Sequence, residues 1–309
     1  MKRPVYNAFK SLLLNRRHFV AAIVSRLSYL IPNDALYLKI LYRLEFKRKL
    51  DLNNPITYSE KLQWLKLYYH NPMHTIMADK YAVKQYVKNL VGEKYVIPTL
   101  FVWDCVEDIE WEKLPQQFVL KTTHDGGNFG VIICKDKSKL DISSVEKRLR
   151  RSLNRNTFML GREWPYKNIK PQIVAEKYIE DTTQGELRDY KFFCFDGVVK
   201  AMLIASGRQS HGDVCIDYFD RDFNWLPIRK SHKNAEIHPQ QPQLLTQMIA
   251  LAETMSKSIP HVRVDLYEAN GNIFFGEFTF FSSGGLTPFR PEEYDYQFGE
   301  WLTLPEKMI

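Results

Sequence analysis

Charged and hydroxyl side chains alternate with apolar ones in two short segments of the 309-residue chain. Arg263 and Asp265 are separated by one residue, and so are Glu277 and Thr279. Alternation with period two is typical of a strand with one polar face. Carboxylates from adjoining strands can bind Mg²⁺ and leave coordination positions for triphosphate oxygens. The pattern predicts a metal site at Asp265 and Glu277, with Thr279 on the same face, and a salt bridge from Arg263 to either acid is the alternative.

The turn between these segments decides whether the acids can meet. A two-residue loop, Asn270-Gly271, would pair Asp265 with Gly276 and turn Glu277 to the opposite face. A three-residue loop that begins one position earlier would pair Arg263 with Glu277. It would also place the two acids diagonally on one face. A metal site at these residues therefore predicts the three-residue loop.

Asp189 and Lys191 form a similar pair in a segment rich in aromatic residues. Such residues favour a strand, and period two places both side chains on one face. An acid and a base together can bind a ribose hydroxyl and a phosphate. An ion pair on a solvated strand is the alternative.

A glycine-containing loop, residues 124–130, joins two short predicted strands. Gly126, Gly127 and Gly130 would let backbone N–H groups approach a phosphate, and Lys121 enters from the first strand. The segment lacks the G-x-x-x-x-G-K-[ST] pattern of a Walker loop. An ordinary hairpin turn is the alternative.

The strand end Glu176-Lys177-Tyr178-Ile179 offers a different recognition element. Backbone N–H and C=O groups at a strand end can bind a purine base, with a carboxylate near its amino group. The alternative is an amphipathic edge strand.

The remaining pattern indicates helices first and mixed elements afterwards. Thr57 and Glu60 form a capping box, and Asp79 is the predicted N-cap of a helix that begins at Lys80. Strands are predicted over 118–121, 131–134, 173–179, 189–195, 198–204, 262–267 and 273–278, with a helix over 244–256. This order predicts an α+β or α/β protein.

The composition is that of a globular protein, with 45% hydrophobic and 26% charged residues. A net charge of +7 favours acidic partners, although no nucleic-acid-binding motif accompanies it. The four cysteines lack metal-ligand spacing and are interpreted as buried reduced thiols of a cytosolic protein. No apolar run is long enough for a spanning helix. The N-terminal helix is predicted to pack on the body of the protein, or to lie on anionic lipid.

In these stretches the chain resembles the ATP-grasp superfamily, and more closely its TupA-like (teichuronopeptide-biosynthesis) branch, which is associated with bacterial surface polysaccharides. The likeness extends over roughly residues 36–304 and includes 54–64, 79–83, 118–121, 189–192 and 263–265. It implies an α+β ATP-grasp fold, with two α+β subdomains clasping ATP after a helical N-terminal region. The implied divisions are a helical region at 1–95, a lid subdomain at 96–185 and a C-terminal subdomain with the metal site at 186–309.

The resemblance also implies roles for the nucleotide-binding residues. Lys80 and Lys121 would contact ATP phosphates, and the loop with Gly126, Gly127 and Gly130 would close over the β- and γ-phosphates. The segment 176–179 would hold adenine.

The resemblance assigns the chemistry to the strand residues. Asp189 would bind the ribose, and Lys191 would lie beside phosphate. Asp265 and Glu277 would bind Mg²⁺, and Arg263 would stabilise an acyl-phosphate. The family usually has Asn where this chain has Thr279, whose hydroxyl would be the further metal ligand, so the number of metal ions stays open.

The activity implied is that of an ATP- and Mg²⁺-dependent carboxylate–amine ligase. Its partners would be an acidic sugar or polysaccharide precursor and an amine such as an amino acid, in the cytoplasm or at the inner face of the membrane. The competing hypotheses are a glycosyltransferase, for which Asp220 and Asp222 have the Asp-x-Asp spacing, and a glycan kinase that uses the same site. A nucleic-acid binder is the third and least supported hypothesis.

Overall fold

The computed structural model describes residues 16–127, 129–181, 187–207 and 214–309. The first 15 residues of the predicted helical region and Asn128 of the glycine loop lie outside this set. The α-helices are α1 (Arg16–Arg26), α2 (Asp34–Phe46), α3 (Tyr58–Tyr68), α4 (Pro72–Ala78), α5 (Ala82–Val91), α6 (Ile142–Leu153), α7 (Thr157–Gly161), α8 (Leu245–Ser256) and α9 (Glu293–Trp301). The strands are β1 (Thr99–Trp103), β2 (Phe118–Thr122), β3 (Val131–Cys134), β4 (Ile173–Lys177), β5 (Arg188–Phe195), β6 (Val198–Ser206), β7 (Cys215–Asp220), β8 (Trp225–Leu226), β9 (Val262–Ala269) and β10 (Asn272–Thr279).

The strands form two antiparallel sheets. The four-stranded sheet has the order β1-β4-β2-β3, and the six-stranded sheet has the order β10-β9-β5-β6-β7-β8. Segregated helices and antiparallel sheets confirm the predicted α+β class. The first sheet lies within predicted region 96–185 and the second within 186–309, and the division into three regions stays a prediction.

Apolar side chains are buried in separate clusters. Leu149 of α6 packs with Phe118 and Leu120 beneath the four-stranded sheet. Helices α3, α5, α8 and α9 share the core of the six-stranded sheet, through residues such as Leu62 and Val87. The later part of the predicted helical region, from α3 to α5, is therefore joined to the sheet that carries Asp265, whereas α1 and α2 contribute to a separate cluster.

The helices before β1 differ in detail from the predicted ones. The capping box at Thr57 and Glu60 is confirmed. Asp79, by contrast, ends α4, and its carboxylate accepts from the N–H groups of Tyr81 and Ala82, so the next helix begins at Ala82 instead of Lys80. Lys80 consequently lies in a turn, where its N–H donates to the Thr123 carbonyl at the end of β2. This bond connects the lysine to the glycine loop.

Helix α1 packs on the body of the protein through one side only. Ala21 is buried and Val24 packs against the cluster formed with α2, whereas Val20, Ile23 and Leu27 are exposed. Across the described ranges, no helix combines the length and apolar character needed to cross a bilayer.

Asp220 and Asp222, which have the Asp-x-Asp spacing, lie at a turn, and the four thiols differ in burial. Asp220 ends β7, and its carboxylate accepts from the N–H groups of Asp222 and Asn224, so this acid stabilises a tight turn. The four cysteines are free: Cys134 and Cys194 are buried, while Cys105 and Cys215 are only partly buried. The prediction of buried thiols therefore holds for two of the four.

The packing of α9 on the start of α3 predicts a strong stability effect. A Cβ atom on Gly299 would lie 2.3 Å from the Ile56 carbonyl oxygen and 2.9 Å from the Tyr58 nitrogen. Since both neighbours are backbone, Gly299→Ala should lower the free energy of unfolding by roughly 3 kcal/mol. Urea denaturation checks this. Gly126→Ala is the matched control, because its Cβ would come no closer than 3.7 Å to any neighbour. Equal midpoints for the two variants would contradict the expectation.

Candidate active site

The two acids face each other across the β9–β10 hairpin, but by a different route from the predicted one. The loop is the two-residue Asn270-Gly271 turn, and positive φ at both residues (51° and 73°) is the signature of a type I′ turn. The predicted three-residue loop is therefore wrong. A bulge at Gly276 shifts the register by one residue, so that Glu277 pairs directly with Asp265. The expectation that both acids share one face is confirmed.

Glycine at the bulge leaves room beside the acids. A Cβ on Gly276 would lie 3.0 Å from the Tyr267 ring and 3.1 Å from the carbonyl oxygen of Asp265. Both distances are tighter than ordinary packing, so a larger residue would push on the Asp265 backbone. The same shift pairs Arg263 with Thr279, not with Glu277 as predicted.

Arg263 is the centre of the polar network on this face. Its Nε donates to Asp265 Oδ1 at 2.7 Å, and its Nη2 lies 2.8 Å from Asp265 Oδ2 and 3.5 Å from Glu277 Oε1. Thr279 Oγ1 accepts from Nη2 at 2.9 Å and lies 3.2 Å from Glu277 Oε1. Nη1 donates to Ser282 Oγ at 3.1 Å. The salt bridge predicted as an alternative therefore exists beside the acid pair, and Thr279 orients Arg263 and Glu277.

Lys191 joins the neighbouring strand to the same network. Asp189 and Lys191 share one face of β5, as predicted, with Lys191 Nζ 2.6 Å from Asp189 Oδ2. Lys191 is also the direct cross-strand partner of Asp265 and donates to its Oδ2. All three side chains are largely buried. Removal of one would leave unpaired charge, which buried sites tolerate poorly.

These charges keep Glu277 ionised. Enclosure by protein would by itself raise the pKa of Glu277, but Lys191, Lys80 and Arg263 more than offset this effect and lower the pKa. The Arg263 guanidinium has its pKa raised, because Asp265 outweighs the effect of burial. The face therefore presents a carboxylate next to permanent positive charge at neutral pH.

The network opens into a cavity of about 310 Å³ that both sheets border. Eight of the predicted site residues line it: Lys80, Lys121, Gly127, Asp189, Lys191, Arg263, Asp265 and Glu277. Residues from separate parts of the sequence thus converge on one space. Thr279 does not line the cavity but forms hydrogen bonds to Arg263 and Glu277, which do.

The glycines of the loop have different surroundings. Gly127 has a φ of 70°, is exposed and lines the cavity. Gly130 is buried, and a Cβ there would lie 2.0 Å from Thr122 Oγ1 and 2.3 Å from Ser152 Oγ. Close packing thus accounts for glycine at 130, whereas Gly127 is the loop glycine that faces the cavity. Gly126 packs near Thr157 and Tyr166 without lining the cavity.

Asp125 anchors this loop. Its Oδ2 accepts from Ser152 Oγ at 2.8 Å, and its Oδ1 accepts from Thr157 Oγ1 at 3.1 Å and from Arg155 at 3.3 Å. Its carbonyl oxygen accepts from Lys80 Nζ. The loop base is therefore tied to α6 and to one of the predicted phosphate-binding lysines.

In the predicted base-binding segment, Glu176 is buried in an ion network, whereas Lys177 and Ile179 border a second cavity. Glu176 is buried between Lys121, at 2.6 Å, and Lys84, at 2.7 Å. These lysines offset the effect of burial and lower the pKa of Glu176. Lys177 and Ile179 line a second cavity of about 680 Å³ and not the one with the acid pair. Sequence reasoning missed Lys84, because its partner Glu176 is remote in the sequence.

A buried lysine, Lys66, supports the Ser282–Gly285 loop. Ser282 and Ser283 line the main cavity. Ser283 and Gly284 have φ values of 52° and 62°, and the Gly284 carbonyl accepts from Lys66 Nζ at 2.7 Å. Lys66 is buried, and this burial lowers its pKa to about 8. A buried cation thus fixes an irregular segment of the cavity wall.

The donor set fits Mg²⁺ that is bound together with phosphate. Asp265 and Glu277 supply two hard carboxylates on the cavity wall, and Glu277 is two-fifths exposed. Among the described residues, no group of three His, Cys, Asp or Glu side chains forms a protein-only metal cage. Mg²⁺ commonly takes one or two carboxylates and completes its shell with water and substrate phosphates. The two carboxylates therefore suit Mg²⁺ that is bound together with a nucleotide.

Sequence reasoning also missed one wall of the cavity. Lys230, Ser231 and His232 line it together with Tyr218. Lys230, Ser231 and His232 belong to a polar segment without strand or helix periodicity, so no pattern in the sequence marked them.

Comparison with known proteins agrees with this geometry. Residues 60–303 match the sequence model of the family described as TupA-like ATPgrasp. No curated protein matches the sequence. The described glycine loop, acid–lysine strand and carboxylate hairpin all lie within the matched range.

Several solved structures are similar over part of the chain. A D-alanine–D-alanine ligase from Bacillus anthracis is 18% identical over 66% of this chain and 57% of its own, with a TM-score of 0.40. A RimK domain ATP-grasp protein from Sphaerobacter thermophilus is 12% identical over 81% of this chain and 72% of its own, with a TM-score of 0.41. The ATP-grasp ligase PsnB, complexed with minimal precursor, Mg and ADP, is 11% identical over 89% of this chain and 65% of its own, with a TM-score of 0.37.

The chain thus spans little more than half the length of the Bacillus anthracis ligase. The family match, by contrast, extends over most of this chain. The protein therefore belongs to the TupA-like ATP-grasp family and has an ATP-grasp fold.

Proposed function

We propose that the protein is an ATP- and Mg²⁺-dependent carboxylate–amine ligase that acts through an acyl-phosphate. The observation that carries this proposal is the single cavity wall on which Asp265 and Glu277 adjoin Lys191 and Arg263. Family membership supplies ATP as the co-substrate.

The nucleotide would lie along residues that the sequence already indicated. Lys80, Lys121 and Gly127 would face the phosphates, and Asp189 would bind the ribose. Lys177 and Ile179 line the neighbouring cavity. We propose that the nucleotide extends past Glu176, so that its adenine lies in this neighbouring cavity. Asp265 and Glu277 would hold Mg²⁺, which supplies neutralisation of the triphosphate charge.

The reaction needs positioning and charge neutralisation more than it needs a protein nucleophile. An oxygen of the substrate carboxylate attacks the γ-phosphorus, and the bond from that phosphorus to the ADP oxygen breaks. The amine nitrogen then attacks the acyl carbon, loses a proton, and phosphate leaves. Arg263 and Lys191 are placed to stabilise the negative charge that develops on the transferred group and on the acyl oxygen.

The substrates form the finer part of the proposal. We infer that the acid is a uronic acid of a bacterial surface polysaccharide or its precursor, and that the amine is an amino acid. The net charge of +7 supports an acidic partner. We infer a cytoplasmic location, with the inner membrane face contacted by Val20 and Ile23 of α1 and by Leu27 directly after it, all of which are exposed. Co-sedimentation with anionic and neutral vesicles tests this contact.

The test of function is ³¹P NMR of ATP and Mg²⁺ with combinations of uronic acids and amino acids. A ligase should release ADP and phosphate at an increased rate only when acid and amine are both present. Phosphorylation of glucose or of another neutral sugar, without an amine, would identify a glycan kinase instead. Consumption of a nucleotide sugar without ATP would contradict the proposed ligase function and identify a glycosyltransferase.

A further inference from the structure

A backbone strap, residues 227–235, forms one wall of the main cavity. Arg229 and Arg290 exchange two backbone hydrogen bonds of 2.8 Å, and the Ile216 N–H donates to the Lys233 carbonyl at 2.9 Å. Asn234 Nδ2 donates to the carbonyl oxygens of Ile216 and Ile228, at 2.9 and 3.0 Å. The strap is therefore fixed on both sides of Lys230, Ser231 and His232, which line the cavity.

Lys230 differs from the other cations on this wall. Lys191, Arg263 and Lys121 each contact a carboxylate, and Lys80 donates to the Asp125 carbonyl. The Nζ atom of Lys230 instead lies 4.2 Å from the centre of the Phe289 ring. Within the part of the chain that the structure describes, Lys230 has no carboxylate at salt-bridge distance.

The nearby charges do not supply a contact partner for Lys230. Burial lowers the pKa of Lys230 to about 8; Asp295 opposes this effect and Arg263 adds to it. Asp295 is itself buried, and its Oδ1 accepts from Ser59 N and Oγ, at 2.9 and 2.8 Å. Two cations, Lys230 and Arg263, therefore line the same cavity and repel each other. An anion between them would relieve this repulsion and replace the water lost on burial.

We propose that Lys230 binds the carboxylate of the acid substrate, on the side of the cavity where Arg263 and Ser282 also lie. Lys230 would then act as a specificity residue that favours this acid over neutral sugars. That the bound anion is the group to be activated rests on the proposed ligase function. Anion binding at Lys230 is independent of that function and can be tested without turnover.

The first test follows the titration of Lys230 itself by NMR of protein labelled with ¹³C-lysine, with Lys230→Arg used for assignment. Acetate and D-glucuronate are the probes, and glucose and chloride at equal ionic strength are the controls. A bound carboxylate should raise the pKa of Lys230 by about one unit or more. The signal of Lys200, an exposed lysine on β6, should not move. An unchanged Lys230 titration with both carboxylates overturns the proposal.

The second test uses an acid and amine pair that turns over in the ligase assay. Lys230→Met should raise KM for the acid about 10- to 100-fold, as expected for a lost hydrogen bond to a charged group. It should leave KM for ATP within about twofold, and Lys200→Met is the charge-matched control. Thermal melting confirms that both variants fold.

In the same assay, the pH dependence distinguishes the contribution of the charge on Lys230 from that of its packing. Wild-type KM for the acid should rise as the pH passes through about 8, since Lys230 loses its proton there. Lys230→Arg, which stays charged, should lose this rise. An acid KM in Lys230→Met equal to that of Lys200→Met would overturn the proposal. If acetate raises the pKa of Lys230 but the protein shows no ligase activity, only the proposed function is refuted.

Discussion

Replacement of Glu277 by Gln should slow ATP-dependent turnover on the order of 10²- to 10³-fold and leave the fold intact. The variant removes a negative charge that faces Asp265 across the hairpin and that Lys191, Lys80 and Arg263 keep ionised. Gln retains the size of the side chain and one carbonyl oxygen, so shape is preserved while the charge of the proposed metal ligand is lost. Because the side chain is two-fifths exposed, little buried packing changes.

The measurement for this variant is ADP release as a function of Mg²⁺ concentration. We expect a lower maximal rate and a higher Mg²⁺ requirement, with an unchanged midpoint of urea denaturation. Glu110→Gln is the matched control, because Glu110 is exposed and forms an exposed ion pair with Lys113 three residues away. Equal rates for Glu277→Gln and Glu110→Gln at every Mg²⁺ concentration would remove the basis for the metal site.

Replacement of Lys191 by Met should damage both stability and activity. Lys191 contacts Asp189 and Asp265, which are almost fully buried. Loss of one partner of a buried ion network typically costs about 3–5 kcal/mol, because the remaining charges are left uncompensated. Arg263 still contacts Asp265, so the lower half of this range is expected for unfolding. Turnover should also fall, because the cation beside the acid pair is gone.

The pH profile of Lys191→Met gives a readout that simple destabilisation would not. Lys191 is the strongest of the cations that lower the pKa of Glu277. Its removal should raise that pKa, so residual activity should be lost at a higher pH on the acid side than in the wild type. Lys200→Met, on the neighbouring strand, should leave the profile and the urea midpoint unchanged. An acid limb at the wild-type position would contradict the assigned coupling.

The sequence predicted those parts of the site that depend on local periodicity. Period two was enough to place Asp189 and Lys191 on one face, since a strand has only two faces. The same rule could not reveal that Lys191 also meets Asp265, because the pairing of β5 with β9 joins residues that are remote along the chain. The order of the elements predicted an α+β or α/β protein, and the family resemblance implied the α+β class.

The missed residues depend on contacts that no local pattern records. Lys230 reaches the cavity because the strap is held by backbone bonds to β7 and to Arg290. Gly130 belongs to a glycine-rich loop, yet its neighbours Thr122 and Ser152 explain why it has no side chain. Glycine composition predicted a loop correctly but could not separate a glycine that faces a ligand space from one that permits close packing.

The bulge at Gly276 has a consequence for the way relatives of this protein are recognised. A straight hairpin with the same two-residue turn would present an identical acid pair with one residue fewer between the acids. A hairpin with a three-residue turn and no bulge could keep the present interval while placing the acids diagonally. The number of residues between the two acids is therefore a poor search criterion. Sequence alignments of such proteins should permit a one-residue gap at position 276, where it removes a bulge and preserves the site.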